Sequence, residues 1–81
     1  MFTKELFGQR MKEIRQKAGD NQTGVGLIIG TGKSHVSEIE KGLACTTVEG
    51  LAAFCEHYQI SSDYLLGLVD DPKARLKPTR K

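Results

Sequence analysis

The sequence predicts an all-α domain of five short helices followed by a basic tail. Three observations predict this fold class. Apolar residues recur at helical spacing, helix-capping side chains precede these segments and glycines follow them, and no segment alternates like a strand. We expect one domain over residues 1–69 and a flexible tail over residues 70–81, which has two prolines and little apolar content.

The first predicted helix lies between residues 3 and 18, with Thr3 as its N-cap and Gly19 ending it in the left-handed conformation. Four apolar residues recur along it at steps of three and four: Phe7, Met11, Ile14 and Ala18. The spacing is that of an amphipathic helix.

Two shorter helices are predicted next. Asn21 can cap a helix over residues 22–29, which Gly30 would end, although its two internal glycines make it intrinsically weak. A third helix is expected over residues 33–41, ending at Gly42.

The fourth and fifth helices have clear start signals. Thr46 and Glu49 form a capping-box pattern, and Ser61 can cap a last helix over residues 62–66 that ends before Gly67. One face of the fourth helix is expected to be apolar: Val48, Leu51, Phe54, Cys55 and Tyr58.

The composition limits the function classes. The chain has 81 residues, 38% hydrophobic and 27% charged, and a domain of this size buries only about 60% of its unfolded surface, which leaves little room for a large active-site cleft. The chain has no apolar run of about 18 residues and no signal peptide, so we expect no membrane association. It also shows no nucleophile–base pair or carboxylate dyad, so we expect neither an enzyme nor a cofactor.

The two cysteines give no sign of a metal site. Cys45 and Cys55 lack CxxC spacing and have too few Cys and His neighbours in the sequence for zinc. We expect reduced thiols in a cytoplasm.

The charge is distributed unevenly. Residues 1–69 hold seven Lys/Arg and eight Asp/Glu, a balance of −1, whereas residues 70–81 hold five and two, a balance of +3. A near-neutral body argues against indiscriminate coating of nucleic acid but permits a local cationic face.

Gly32, Lys33 and Ser34 match the end of a Walker A phosphate loop, GxxxxGK[ST]. The first glycine of that pattern should stand at position 27, where the chain has Leu27. The motif also requires an α/β sheet, for which this chain is too short and too helical. The spacing therefore argues against nucleotide binding.

Residues 22–41 fit better as a helix-turn-helix, in which the second helix enters the major groove of DNA. Gly30 can supply the turn and Gly26 the close crossing of the two helices. The seam between them would be formed by four apolar residues: Val25, Ile29, Val36 and Ile39.

The third helix has two distinct faces at about 100° per residue. Val36, Ile39 and Glu40 fall on the inner side, and the opposite side is polar. The polar face and the exposed first turn hold Lys33, Ser34, Ser37, Glu38 and Lys41. Such side chains can bond base edges and phosphates, but any surface helix has a polar face, so this pattern alone leaves both interpretations open.

Residues 22–42 carry the gapless pattern Q-x3-[AG]-x3-G-x5-[VI]-S-x-I-E-x-G. The matching residues are Gln22, Gly26, Gly30, Val36, Ser37, Ile39, Glu40 and Gly42. This pattern resembles the Cro/lambda-repressor-like helix-turn-helix family, and the similarity extends from about Phe7 to Leu68. The resemblance implies a compact five-helix lambda-repressor-like DNA-binding domain.

The resemblance also implies residue roles. The residues facing the bases would be Lys33, Ser34, Ser37 and Glu38. The residues contacting phosphates would be Gln22, Thr23, Thr31, His35 and Lys41. Arg15 stands seven residues before Gln22, where the family often carries an arginine paired with the glutamate that corresponds to Glu40.

Three features depart from the family pattern. Leu27 and Ile28 replace polar residues, so they are expected to pack against another element or a partner subunit. Glu38 either accepts from cytosine N4 or weakens DNA binding by repelling phosphate. Gly32 replaces a capping serine or threonine, so that cap is missing or comes from Thr31.

The implied function is sequence-specific transcriptional regulation by a repressor of phage or prophage type. Such a repressor would bind a two-fold operator in double-stranded DNA as a homodimer. We expect the fourth and fifth helices to form the dimer surface. The location would be the cytoplasm of a bacterium or a phage-infected cell. An antitoxin or another protein-interaction module, with a toxin or antirepressor as partner, stays open as the alternative. The tail cations could contact DNA or remain solvated: Lys73, Arg75, Lys77, Arg80 and Lys81.

Overall fold

The computed structural model describes residues 1–75, and this part of the chain contains five α-helices and no strand. The helices are α1 (Lys4–Ala18), α2 (Gln22–Ile29), α3 (Lys33–Glu40), α4 (Val48–Tyr58) and α5 (Ser62–Leu65). The predicted all-α fold class is therefore confirmed. None of these helices is both long and apolar enough to cross a membrane.

The predicted helix ends coincide with observed caps at most positions. The side chains of Thr3, Asn21 and Ser61 each accept a hydrogen bond from an amide of the following turn, at 3.0, 2.7 and 3.0 Å. Gly19 and Gly30 end α1 and α2 in the left-handed conformation. Because these caps are set by local sequence, they could be located without knowledge of the packing.

The predicted start of α4 was wrong by one residue. Thr47, not Thr46, is the N-cap, and its hydroxyl accepts from the Gly50 amide at 3.0 Å. Val48 thereby becomes the first helical residue, and its side chain points away from the core with 80% of its surface exposed. The capping-box pattern with Glu49 is not used.

The core lies where α1, α2, α3, α4 and α5 meet. Its buried side chains are Phe7, Met11, Val25, Ile29, Val36, Ile39, Phe54, Tyr64 and Leu65. Cys55 packs against this cluster, and burial raises the pKa of its thiol to about 11. Both Cys45 and Cys55 are free thiols.

Helix α1 packs closely on α3. A side chain at Gly8 would collide with the carbonyl group of Ile39, so the absence of a side chain lets the two backbones approach. This contact places the C-terminal half of α3 against α1, and it leaves the opposite face of α3 towards solvent.

Arg10 joins α1 to the end of the described chain. Its Nη1 donates to the carbonyl oxygens of Tyr64 and Val69 at 2.5 and 2.7 Å, and its Nη2 donates to Asp70 at 3.0 Å. Pro72 continues this attachment, because its carbonyl accepts from the Ser61 amide at 2.7 Å. Asp70 and Pro72 of the expected tail thus contact the body. The remaining residues 76–81 lie outside the described part.

Candidate DNA interface

The turn between α2 and α3 depends on two glycines. Gly30 has φ +83°, and the amides of Gly30 and Thr31 both donate to the Gly26 carbonyl at 2.8 Å. A methyl group at Gly26 would lie 2.5 Å from the Thr31 carbonyl oxygen, so only glycine allows the turn to fold back so closely. The seam residues Val25 and Val36 are fully buried beside it.

The outer face of α3 carries most of the predicted base-contacting residues on the surface. Lys33, Ser34 and Glu38 are exposed, while Ser37 is half-buried. Lys41, which follows the last turn, is also exposed. This face therefore presents two cations, one carboxylate and hydroxyl groups, all of which can bond to base edges or phosphates.

The start of α3 has no side-chain cap. Gly32 occupies the N-cap position, and no side chain bonds the first-turn amides. The Thr31 hydroxyl instead lies 3.1 Å from Nδ1 of His35, so these two predicted phosphate contacts touch each other and are half-buried. Of the two sequence-based expectations for this cap, the missing cap is the one observed.

The N-terminus of α2 carries the other predicted phosphate contacts. Gln22 is half-buried and Thr23 is exposed. Neither α2 nor α3 has an acidic residue in its own first turn, although the Glu40 carboxylate lies within hydrogen-bond distance of Gln22 at the start of α2. Helix ends of this kind favour anions such as phosphate.

Arg15, Glu40 and Gln22 meet beneath this surface. Arg15 Nε and Nη2 donate to the two Glu40 carboxylate oxygens at 2.7 and 3.0 Å, and Gln22 Nε2 donates to Glu40 Oε1 at 3.1 Å. The side chains of Arg15 and Glu40 are 12% and 4% exposed. The hydrogen bond to Glu40 raises the pKa of Arg15, so the guanidinium stays charged.

Two further residues extend this network, and the sequence reasoning missed both. Arg15 Nη1 donates to the Asp20 carbonyl at 3.0 Å, and the Tyr58 hydroxyl donates to Asp20 Oδ2 at 2.6 Å. Burial, followed by the bond to Asp20, raises the pKa of Tyr58. The polar hydroxyl of a tyrosine on an apolar helix face was the only available signal, and it could not identify a partner 38 residues away.

The two unusual apolar residues of α2 have different environments. Ile28 packs against the core cluster, whereas Leu27 is 81% exposed. Ile28 therefore meets the expectation of packing against another element. Leu27 contributes to the protein surface instead.

Residues 1–75 show neither a metal-ligand cluster nor an unpaired buried polar side-chain atom. Within residues 1–75 no three His, Cys, Asp or Glu side chains cluster closely enough to hold a metal ion. Every buried side-chain nitrogen or oxygen in the same range has a hydrogen-bond partner.

A glycine turn, two crossing helices and a polar outer face on the second helix define a helix-turn-helix domain. The family model for the helix-turn-helix (HTH_3) matches residues 11–65, more than half of the chain. This chain belongs to the Cro/lambda-repressor-like helix-turn-helix family. It is 35% identical over 60 residues to the HTH-type transcriptional regulator ImmR of Bacillus subtilis (strain 168), a match that covers 74% of this chain and 47% of ImmR. The chain thus aligns with about half of that relative.

Solved structures show the same fold. The P22 c2 repressor, determined in complex with synthetic operator 9T in the presence of Tl+, has a TM-score of 0.71 and 28% identity, covering 78% of this chain and 96% of that chain. The restriction-modification controller C.AhdI from Aeromonas hydrophila has a TM-score of 0.67 and 24% identity, covering 76% and 94%. The clp gene regulator ClgR from Corynebacterium glutamicum has a TM-score of 0.70 and 22% identity, covering 80% and 69%. At their identities, the last two support the fold alone.

Proposed function

We propose that this chain is a sequence-specific transcriptional repressor of phage or prophage type, which binds a two-fold operator as a homodimer and reads bases with α3. The observation that carries this proposal is the exposed polar face of α3, together with a partly buried ion pair that joins this helix to α1. The likeness to the P22 c2 repressor, a protein crystallised with an operator, supports it.

In this proposal the first turn of α3 reads the bases. Lys33 donates to guanine O6 and N7, and the Ser34 hydroxyl bonds a neighbouring base edge. Glu38, one turn further along, accepts from cytosine N4 or opposes phosphate, and Ser37 lies between them. Recognition then depends on how firmly α3 is held, because base contacts need a fixed helix orientation.

The proposed phosphate contacts surround this face: Gln22, Thr23, Thr31, His35 and Lys41. A side-chain amide has two N–H donors, and Gln22 uses one of them on Glu40. The second N–H donor of Gln22 would bond a phosphate beside the N-terminus of α2. Gln22 would thereby link that phosphate to the Arg15–Glu40 pair.

The proposed dimer surface is an apolar area between the start of α4 and the end of α5, bordered by Phe2 before α1. It is formed by Phe2, Val48, Leu51 and Leu66, which line a shallow hollow of about 180 Å³. Phe2 and Val48 are 44% and 80% exposed. A second copy of this chain would cover these apolar side chains, and two-fold dimers of such domains read half-sites about one DNA turn apart.

DNA recognition is tested by selecting binding sites from random duplexes and measuring affinity for the selected site. Lys33→Ala and Ser34→Ala are each expected to weaken binding by about 1 to 3 kcal/mol and to relax the preference at one base position. Lys12→Ala serves as the control, because Lys12 is an exposed lysine on α1 and not on α3. Equal loss of affinity for selected and random DNA in the Lys33 and Ser34 variants would argue against base reading.

The dimer is tested by sedimentation of two matched variants. Val48→Lys places a charge in the proposed surface and should shift the protein towards monomer. Leu27→Lys alters a residue that is equally exposed, at 81%, but lies on α2, and it should leave the oligomeric state unchanged. If both variants or neither become monomeric, the proposed surface is incorrect.

The exposed Leu27 favours a second candidate, a protein-interaction module of antitoxin type. In that case Leu27→Lys would abolish the complex with a toxin or antirepressor co-expressed from a neighbouring gene, while operator binding would be retained. A complex that persists in the Leu27→Lys variant would remove the observation that favours this candidate.

A further inference from the structure

A hollow of about 310 Å³ lies between the C-terminal ends of α1 and α4, away from the dimer surface proposed above. Its apolar lining comes from three parts of the chain: Ile14, Ala18, Tyr58, Ile60 and Pro72. The volume falls in the range of small-molecule sites, which run from about 300 to 1,000 Å³ and are mostly apolar with a few polar groups.

The remaining two residues that line this hollow are lysines, Lys17 and Lys73. The ion pairs within residues 1–75 are Arg10–Asp70 and Arg15–Glu40, so neither of these lysines is neutralised by a carboxylate. Lys73 Nζ donates to the Gln59 carbonyl at 3.0 Å, which uses one of its three donors and leaves two for a ligand.

The segment that contains Pro72 and Lys73 forms one side of the hollow and is hydrogen-bonded to the rest of the domain. The Pro72 carbonyl accepts from the Ser61 amide at 2.7 Å, and Arg10 binds Asp70 just before it. These contacts fix the segment that brings Pro72 and Lys73 opposite α1. An adjoining hollow shares Ile14, Lys17 and Pro72 and is bordered by Glu13. Glu13 does not line the hollow that Lys17 and Lys73 share.

We propose that this hollow binds a small amphipathic carboxylate, with its hydrocarbon part on the apolar floor and its carboxylate between Lys17 and Lys73. An apolar floor with unneutralised cations at the rim complements such a ligand in both shape and charge. The ligand would touch Tyr58, whose hydroxyl bonds Asp20 in the network that reaches Arg15 and Glu40. Ligand binding at this hollow can be measured without DNA, so its test does not depend on the proposed function.

The test uses the full chain labelled with nitrogen-15 and titrated with octanoate below the concentration at which octanoate forms micelles. Saturable amide shifts are expected near Ala18, Ile60 and Lys73. Acetate carries the charge without the chain and 1-octanol carries the chain without the charge, so both should bind more weakly.

Variants separate the proposed site from general adhesion of a fatty acid. Lys17→Gln and Lys73→Gln should each weaken octanoate binding by about two- to fivefold, and Lys12→Gln should not. Ala18→Trp should fill the hollow and abolish the shifts while the thermal unfolding curve shows a folded protein. Equal binding of octanoate and 1-octanol, unchanged affinity in both lysine variants, or shifts centred on Phe2 and Val48 would each overturn the proposal.

Discussion

Arg15 in α1 and Glu40 at the end of α3 form a two-point ion pair, with nitrogen–oxygen distances of 2.7 and 3.0 Å and little exposure of either side chain. The pair spans 25 residues and ties the candidate DNA-reading helix to the first helix. Gln22 bonds the same carboxylate, so one buried charge orients parts of three helices.

Breaking this pair should be costly. Arg15→Ala or Glu40→Ala is expected to lower the free energy of unfolding by up to about 3 to 5 kcal/mol, because the remaining, partly buried charge would lose its partner. Urea or thermal unfolding measures this, and Lys12→Ala on the exposed side of α1 provides the control, with an expected change within about 0.5 kcal/mol. A melting temperature within a degree of the wild type for both variants would contradict the interpretation.

Two glycines of the helix-turn-helix should respond to substitution in opposite directions. Gly26→Ala should lower stability by about 1 to 3 kcal/mol, since the added methyl group would lie 2.5 Å from the Thr31 carbonyl oxygen. Gly32→Ser should raise stability by a few tenths of a kcal/mol, because the site has open space, φ −94° suits any residue, and serine can supply the missing cap. The two variants are compared by the same unfolding assay, and a loss in both would show that the turn tolerates no side chain at either position.

The Tyr58–Asp20 bond should make stability fall at high pH. Burial raises the pKa of Tyr58 above its ordinary value of about 10, so its contribution to stability is complete below pH 10 and is lost as pH rises towards the folded-state pKa. Tyr58→Phe should cost about 1 kcal/mol at neutral pH through the lost hydrogen bond. The advantage of the wild type over Tyr58→Phe should shrink from pH 10 upwards in urea unfolding curves. A constant difference across that range would mean that Tyr58 is not protonated preferentially in the folded protein.

The basic residues beyond Arg75 offer a test of the tail. Replacing Lys77, Arg80 and Lys81 by glutamine removes three cations without shortening the chain or disturbing the attachment through Asp70 and Pro72. If these cations contact phosphates, the slope of log affinity against log salt for operator DNA should decrease by up to about 3. An unchanged slope would show that they remain solvated in the complex.

The candidate interface was predicted in part. Positions such as Lys33, Ser34 and Glu38 could be assigned to an outer face because helical periodicity alone separates them from Val36 and Ile39. Their contacts could not be predicted, as the Thr31–His35 and Gln22–Glu40 bonds show. Those bonds depend on side-chain positions that arise only when the helices pack.

The N-cap of α4 was also not predicted correctly from the sequence. Thr46 and Thr47 both suit an N-cap locally, and the choice of Thr47 turns Val48 outwards. The capping-box pattern with Glu49 favours Thr46 locally, yet the structure uses Thr47. Packing of the following helix against the core decides between them, and it also creates the apolar surface proposed for the dimer.

By itself, the sequence determined the five helices, most of their caps and the glycine turn, because these features follow from interactions between residues a few positions apart. The tertiary structure alone decided that Tyr58 reaches Asp20, that Arg10 holds residues 69 and 70, and that Lys17 and Lys73 face one hollow. Each of these contacts joins residues far apart in the chain. Their geometry is fixed only when the apolar faces of the helices have come together.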